Sequence, residues 1–286
     1  MCRLYGLQAN EPTKIECSLV RAQNALMAQS MSDLEGLTHG HGWGVASHPD
    51  GVPFVEKQAW AAYHGERFQK IAARIYSRSV IAHVRRATVG PPGIENTHPF
   101  VHGFWLFAHN GTVPNFDRVR DLLLDEMDAL HRTEIHGSTD SEHVFRFLLS
   151  LWERHPERPL IDTLRIGLNR VIDMCRAIDA DKAIGLNVLW TDGDRMVGAR
   201  LNRTLWYLER DGVVRCEICG ETHVHHSAKQ HYRAIEIASE PITHEDWLRV
   251  PNGTVFSVDS DYRLEILPLS DPSLVAAEGT ESGANY

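Results

Sequence analysis

The chain of 286 residues carries 29 Lys and Arg against 38 Asp and Glu, a formal net charge of −9 that repels phosphate backbones and anionic headgroups, so neither nucleic acid nor a membrane surface is an expected partner. At 43% hydrophobic and 23% charged residues the composition is that of a globular protein with a sizeable core. No apolar run reaches the ~18 residues of a membrane span, the start of the chain has no signal-peptide pattern, and five scattered cysteines make no disulfide framework, so a cytoplasmic, reducing location is expected.

In chain order, a strand is expected over Arg3–Gln8, followed by a helix carried by Ile15, Leu19, Ala22 and Leu26, and a strand over Gly42–Ser47. Phe68, Ile71, Ala72 and Ile75 mark a second helix, after which Ser79–Val84 and Phe104–His109 read as strands. Helices then follow at Phe116, Val119, Leu122 and Leu123, at Val144, Phe147, Leu148 and Leu151, and from Leu160 to Ile178 behind Pro159. The last third returns to strands over Gly185–Thr191, Thr204–Glu209, Arg233–Ser239 and Thr254–Asp259. Blocks of strand lying far apart, with helices grouped between them, favour a layered α+β sandwich over a doubly wound parallel sheet. No linker divides the chain, so a single domain over residues 2–270 is expected, with the polar stretch 271–286 as a flexible tail.

Cys2 is the most informative residue. Removal of Met1 would put a thiol and a free α-amine on one residue, and an α-amine titrates near ~8, where it can take the thiol proton and return it to a leaving group. Taken alone, a Cys at this position is more often a small buried hydrophobe. Further along come Ile81-Ala82-His83-Val84-Arg85-Arg86-Ala87-Thr88-Val89-Gly90, Asn96-Thr97-His98-Pro99-Phe100, Phe107-Ala108-His109-Asn110-Gly111-Thr112-Val113 and Gly137-Ser138-Thr139-Asp140-Ser141-Glu142. With Cys2, and over residues 2 to about 150, this ordered set resembles the class II, N-terminal nucleophile, glutamine amidotransferase domain. Ala238-Ser239-Glu240-Pro241-Ile242-Thr243 is also similar to that family.

The resemblance implies a four-layer αββα sandwich and hydrolysis of a γ-glutamyl amide through a cysteinyl thioester. Cys2 would be the nucleophile, and Asn110 with the Gly111 N–H the oxyanion hole. Arg85 would clamp the substrate α-carboxylate in a bidentate fork, Thr88 would support it, and Asp140 would accept from the α-ammonium. Thr139 and Glu142 form a T-x-x-E capping box opening the next helix. His98 is assigned to structural hydrogen bonding, and His41-Gly42-Trp43-Gly44 to the pocket wall. Outside that context Asn110-Gly111 is a hairpin-turn dipeptide and Arg85 an ordinary ion-pairing residue.

Two metal readings accompany this one. Thr38-His39-Gly40-His41 is an H-x-H of the type found in metal-dependent amidohydrolases, but a β-dense C-terminal third does not supply the eight strand-helix units of a barrel. Cys216-Glu217-Ile218-Cys219 can chelate one ion, and His223 and His225 would complete a structural zinc tetrahedron, with an unmetallated turn as the competing reading. Cys17 and Cys175 fall on apolar helical faces and are read as core. No nucleotide-binding loop is present, so the chain is not expected to activate an ammonia acceptor itself; the resemblance implies a small γ-glutamyl substrate, hydrolysed outright or serving as an ammonia source for a separate synthase or peptidase subunit. Homo-oligomerisation and a catalytically silent binding subunit remain open at this level. Among stand-alone relatives the chain is similar to the group holding the γ-glutamyl hydrolase of ergothioneine synthesis and the amidotransferase-like subunit of glutathione degradation.

Overall fold

A computed structural model describes residues 2–224 and 231–269. Two antiparallel sheets lie face to face. The first contains β1 (Arg3–Lys14), β2 (Trp43–Ser47), β3 (Phe54–Gln58), β4 (Tyr76–Val84), β9 (Trp206–Asp211), β10 (Arg233–Ala238) and β11 (Leu248–Arg249), in the order β11-β9-β10-β1-β4-β2-β3. The second contains β5 (Phe100–His102), β6 (Trp105–Thr112), β7 (Gly185–Thr191), β8 (Met196–Arg200), β12 (Thr254–Val258) and β13 (Leu264–Pro268), in the order β13-β12-β8-β7-β6-β5.

Three buried clusters account for the layering. Leu4, Ile81, Leu106, Leu189, Ile237 and Phe256 fill the space between the sheets. Gly6 lets the sheets approach, since a Cβ there would meet Leu189 Cδ1 at 2.6 Å. The opposite face of the first sheet is covered by a π-helical turn (Cys17–Arg21), α1 (Leu26–Met31) and α2 (Arg67–Ala72), packed on Tyr5, Leu7, Trp43 and Val45. The outer face of the second is covered by α3 (Phe116–Glu126), α5 (Asp140–Arg154) and α6 (Leu160–Ile178), with the short α4 (Ala129–Thr133) beside α5. Alternation along each strand sends one set of side chains to the sheet–sheet core and the other to a helical layer, which gives the expected αββα sandwich.

The first expected helix is broken. Ile15, Leu19, Ala22 and Leu26 are all buried as their spacing requires, yet the chain forms a π-turn, leaves it at Ala22 in an extended conformation (ψ 153°), and re-enters a helix only at Leu26. Spacing reports which side chains face the core and is blind to whether the hydrogen-bond ladder between them continues. The expected tail, 271–286, and His225 lie outside the described residues.

Candidate active site

Strand pairing brings the start of β1 to the end of β4. Arg3 pairs with Val84, so the residue entering one strand and those leaving the other meet at the sheet end. There the Arg86 backbone N–H donates to Cys2 Sγ at 3.3 Å, and the thiol lies 3.4 Å from the Arg86 carbonyl oxygen. Burial pushes the thiol above its ordinary range. The Arg86 N–H and the charge of Arg85 oppose this and Asp140 adds to it, with a net upward shift.

Arg85 is buried, and its guanidinium donates to the carbonyl oxygens of Val89 at 3.0 Å, Gly90 at 3.1 Å and Pro91 at 2.9 Å. It therefore ties down the loop that follows β4. Its main chain is fixed from the other side: Arg85 N–H donates to Gly42 O at 2.7 Å, His41 N–H to Arg85 O at 3.0 Å, and Ala87 N–H to His41 Nδ1 at 2.9 Å. Trp43 is not part of this wall, because its ring packs on Phe68 in the outer core. The Thr88 hydroxyl lies 3.4 Å from that of Thr112, joining the loop to the end of β6.

Asn110 and Gly111 lie within β6 and not in a hairpin turn, paired with Asn187 and Leu186 of β7. Only glycine fits at 111, since a Cβ would come within 1.9 Å of Gly185 O. Asn110 is bound by a residue that sequence reasoning left without a role. Ser239 donates its N–H to Leu4 O and accepts the Leu4 N–H on Oγ, both at 3.0 Å, while Asn110 Nδ2 lies 3.2 Å from the same Oγ. As oriented, Asn110 Oδ1 is buried without a partner among the described residues. A hydroxyl that accepts from Leu4 still has a proton to give, so rotating the amide by 180° satisfies Oδ1 and turns the NH₂ away from Ser239.

Asp140 opens α5. One carboxylate oxygen accepts the Val113 N–H at 2.8 Å and the other the Ser141 N–H at 2.9 Å. Thr139 caps the helix through Glu142 N–H at 3.2 Å, but the Glu142 carboxylate reaches back to the N–H groups of His136 and Gly137 rather than closing the box on Thr139. Asp140 and Cys2 both act electrostatically on Arg85, so these groups, from three separate segments, share one region.

Below this region lies a buried charge network that the motifs did not announce. Arg3 holds Glu240 at 2.8 Å and Asp33 at 2.6 Å, and donates to the Cys2 carbonyl oxygen at 3.1 Å. His39 binds the same Asp33 at 2.8 Å, and burial pushes its pKa down to about 4. His39 and His41 thus have different partners, which removes the H-x-H metal reading. His98 differs from expectation too: neither ring nitrogen has a hydrogen-bond partner among the described residues, and the ring packs at a tilt against His83, centroids 4.2 Å apart, and edge-on against Phe100 at 4.6 Å. Cys216, Cys219 and His223 stand apart from all of this, near the other end of β1, where Lys14 N–H donates to His223 O at 2.8 Å.

A sequence profile of the class II glutamine amidotransferases matches residues 1–272. The chain belongs to this family. The probable glutamine amidotransferase of Saccharomyces cerevisiae is 29% identical over 297 aligned positions, covering 90% of this chain and 82% of the relative. The γ-glutamyl-hercynylcysteine sulfoxide hydrolase of Mycobacterium tuberculosis is 29% identical over 182 positions, covering 63% of this chain and 67% of the relative. Among solved structures, a glutamine aminotransferase class II domain protein from Silicibacter pomeroyi superimposes with a TM-score of 0.62 at 19% identity, over 93% of this chain and 99% of that one. The fold is the αββα sandwich of the N-terminal nucleophile hydrolases, and the protein is a class II glutamine amidotransferase-type enzyme. No helix among the described residues is long and apolar enough to cross a membrane.

Proposed function

We propose that this enzyme cleaves a γ-glutamyl amide through a thioester on Cys2, releasing glutamate and ammonia or an amine. The observation that carries the reading is the Arg86 N–H donated to Cys2 Sγ beside Arg85. A thiol raised by burial is protonated at neutral pH and needs a base, and the α-amine exposed when Met1 is removed supplies one on the same residue. Asn110, turned so that Ser239 donates to its oxygen, and the Gly111 N–H stabilise the oxyanion. Arg85 and Thr88 bind the α-carboxylate, and Asp140 the α-ammonium. Five free cysteines fit a reducing, cytoplasmic setting.

Similarity to a γ-glutamyl hydrolase favours outright hydrolysis over delivery of ammonia to a partner subunit. The test is a panel of γ-glutamyl amides, glutamine included, assayed for glutamate. Release from at least one compound, abolished by Cys2→Ala, supports the proposal, and release that survives the substitution refutes it.

A further inference from the structure

At the opposite end of β1 from Cys2, three thiols and an imidazole converge from two distant stretches of chain. Cys17 starts the π-turn after β1, and Cys216, Cys219 and His223 come from the loop between β9 and β10. One donor atom from each of the four lies within 4.8 Å of the others. We propose that Cys17, Cys216, Cys219 and His223 form a closed, structural zinc site, with Cys17 in place of His225.

The donor set is soft and lacks carboxylates, which suits a tetrahedral Zn²⁺ with no position left for substrate. A tetrahedron with Zn–S near 2.3 Å and Zn–N near 2.0–2.1 Å has S···N edges of about 3.5 Å, and Cys219 Sγ lies 3.4 Å from His223 Nε2. The loop has the backbone to present its ligands. Gly220, at φ +74°, returns its N–H to Cys216 O at 2.9 Å, Cys216 N–H donates to Glu221 O at 2.9 Å, and Ile218 N–H points at Cys216 Sγ at 3.4 Å. Nothing lies within 4 Å of a Cβ built on Gly220, so its backbone conformation, and not crowding, calls for glycine. Lys14 N–H to His223 O and the bridge between Thr13 and Val224 stitch this loop to β1.

Cys17, Cys216 and His223 also line a cavity of about 470 Å³, which gives an ion and a chelator a way in. A second group of donors, His102, His131 and Glu134, makes a useful contrast. There the Arg146 guanidinium already holds Glu134 and His102, so a fixed cation takes the place a metal would need. Among Cys17, Cys216, Cys219 and His223 no such cation intervenes in the described structure. An ion would join the end of β1 to the β9–β10 loop, about a strand's length from Cys2, and act on stability instead of on chemistry.

The experiment uses full-length protein purified without chelators. About one zinc per chain is expected, falling to near zero in Cys17→Ser and in Cys216→Ser and unchanged in His225→Ala. Cobalt exchanged into the wild type should give the absorption bands of a tetrahedral, thiolate-rich ion. Should the serine variants fail to fold, stripping and reloading the wild type decides: removal should lower the thermal midpoint by about 5 °C or more, and zinc should restore it. Retention of zinc in Cys17→Ser with loss in His225→Ala would overturn the ligand set. Protein that neither carries zinc nor is stabilised by it would overturn the site.

Discussion

The Ser239 hydroxyl lies 3.2 Å from the amide nitrogen of Asn110 while accepting the Leu4 N–H at 3.0 Å, so one side chain links the strand that carries Cys2 to the strand of the proposed oxyanion hole. Removing it frees the Asn110 amide to rotate. Ser239→Ala should therefore lower kcat by about tenfold to a hundredfold, less than deleting an oxyanion donor outright, with little change in KM. Ser239→Thr, which keeps the hydroxyl, should recover most of the loss. An alanine variant with wild-type kcat would detach Ser239 from catalysis.

Arg85 has two tasks in this account: Nη1 and Nη2 secure the carbonyls of residues 89–91, and the N–H groups left over on the guanidinium meet the carboxylate. A lysine preserves the charge but neither the planar fork nor the simultaneous bonds. Arg85→Ala and Asp140→Asn should each cost roughly 2–5 kcal/mol in kcat/KM, because each leaves an end of the substrate zwitterion unpaired, and Arg85→Lys should also fall below the wild type for want of the planar guanidinium. Kinetics on glutamine and on its des-amino analogue check this, and equal rates of the wild type on both would remove Asp140 from substrate binding.

Arg3 sits at 3% exposure between Asp33 and Glu240. Arg3→Gln strips the cation from this buried set and leaves the Asp33 and Glu240 carboxylates uncompensated. The expected loss of stability is about 3 kcal/mol, within the range for breaking a buried pair. Chemical denaturation measures it, and an unchanged midpoint would show that the network contributes nothing net.

Acid should unfold this protein by way of its buried histidines. His39 is held down to about 4, first by burial, and His83, His98 and His109 are lowered by burial as well. A lowered histidine binds fewer protons folded than unfolded. Stability is therefore full above the unfolded value near ~6.5 and is lost as pH falls toward the folded one; for His39 the total is on the order of 3 kcal/mol. Asp33 adds to the loss at lower pH. Burial raises it, but the Leu37 N–H, His39 and Arg3 outweigh that and leave it below the usual carboxylate range. Thermal midpoints from pH 7.5 to 4.5 should fall most steeply below about 6.5. A flat profile through that range would contradict the assignment.

Much of the fold was legible because strands and helices here announce themselves by period, and the burial of Ile15, Leu19, Ala22 and Leu26 follows their spacing even where the helix breaks. Short motifs pointed to Arg85, Asn110, Gly111 and Asp140 because each falls within a run of family-like residues. Residues joined only by the fold were not legible. Ser239 and Asn110 are 129 positions apart, and Arg3 and Glu240 are 237 apart. Cys17, read as core, is buried as expected, but its proximity to Cys216, Cys219 and His223, some two hundred residues downstream, was not legible for the same reason.

The central claim is that Cys2, with its own α-amine, is the nucleophile. Intact-mass analysis of the purified enzyme, run beside a glutamate-release assay on the best γ-glutamyl substrate, tests it most directly. Active protein should begin at Cys2, and both Cys2→Ala and a form that retains Met1 should release no glutamate above background. Full activity in either would contradict the account.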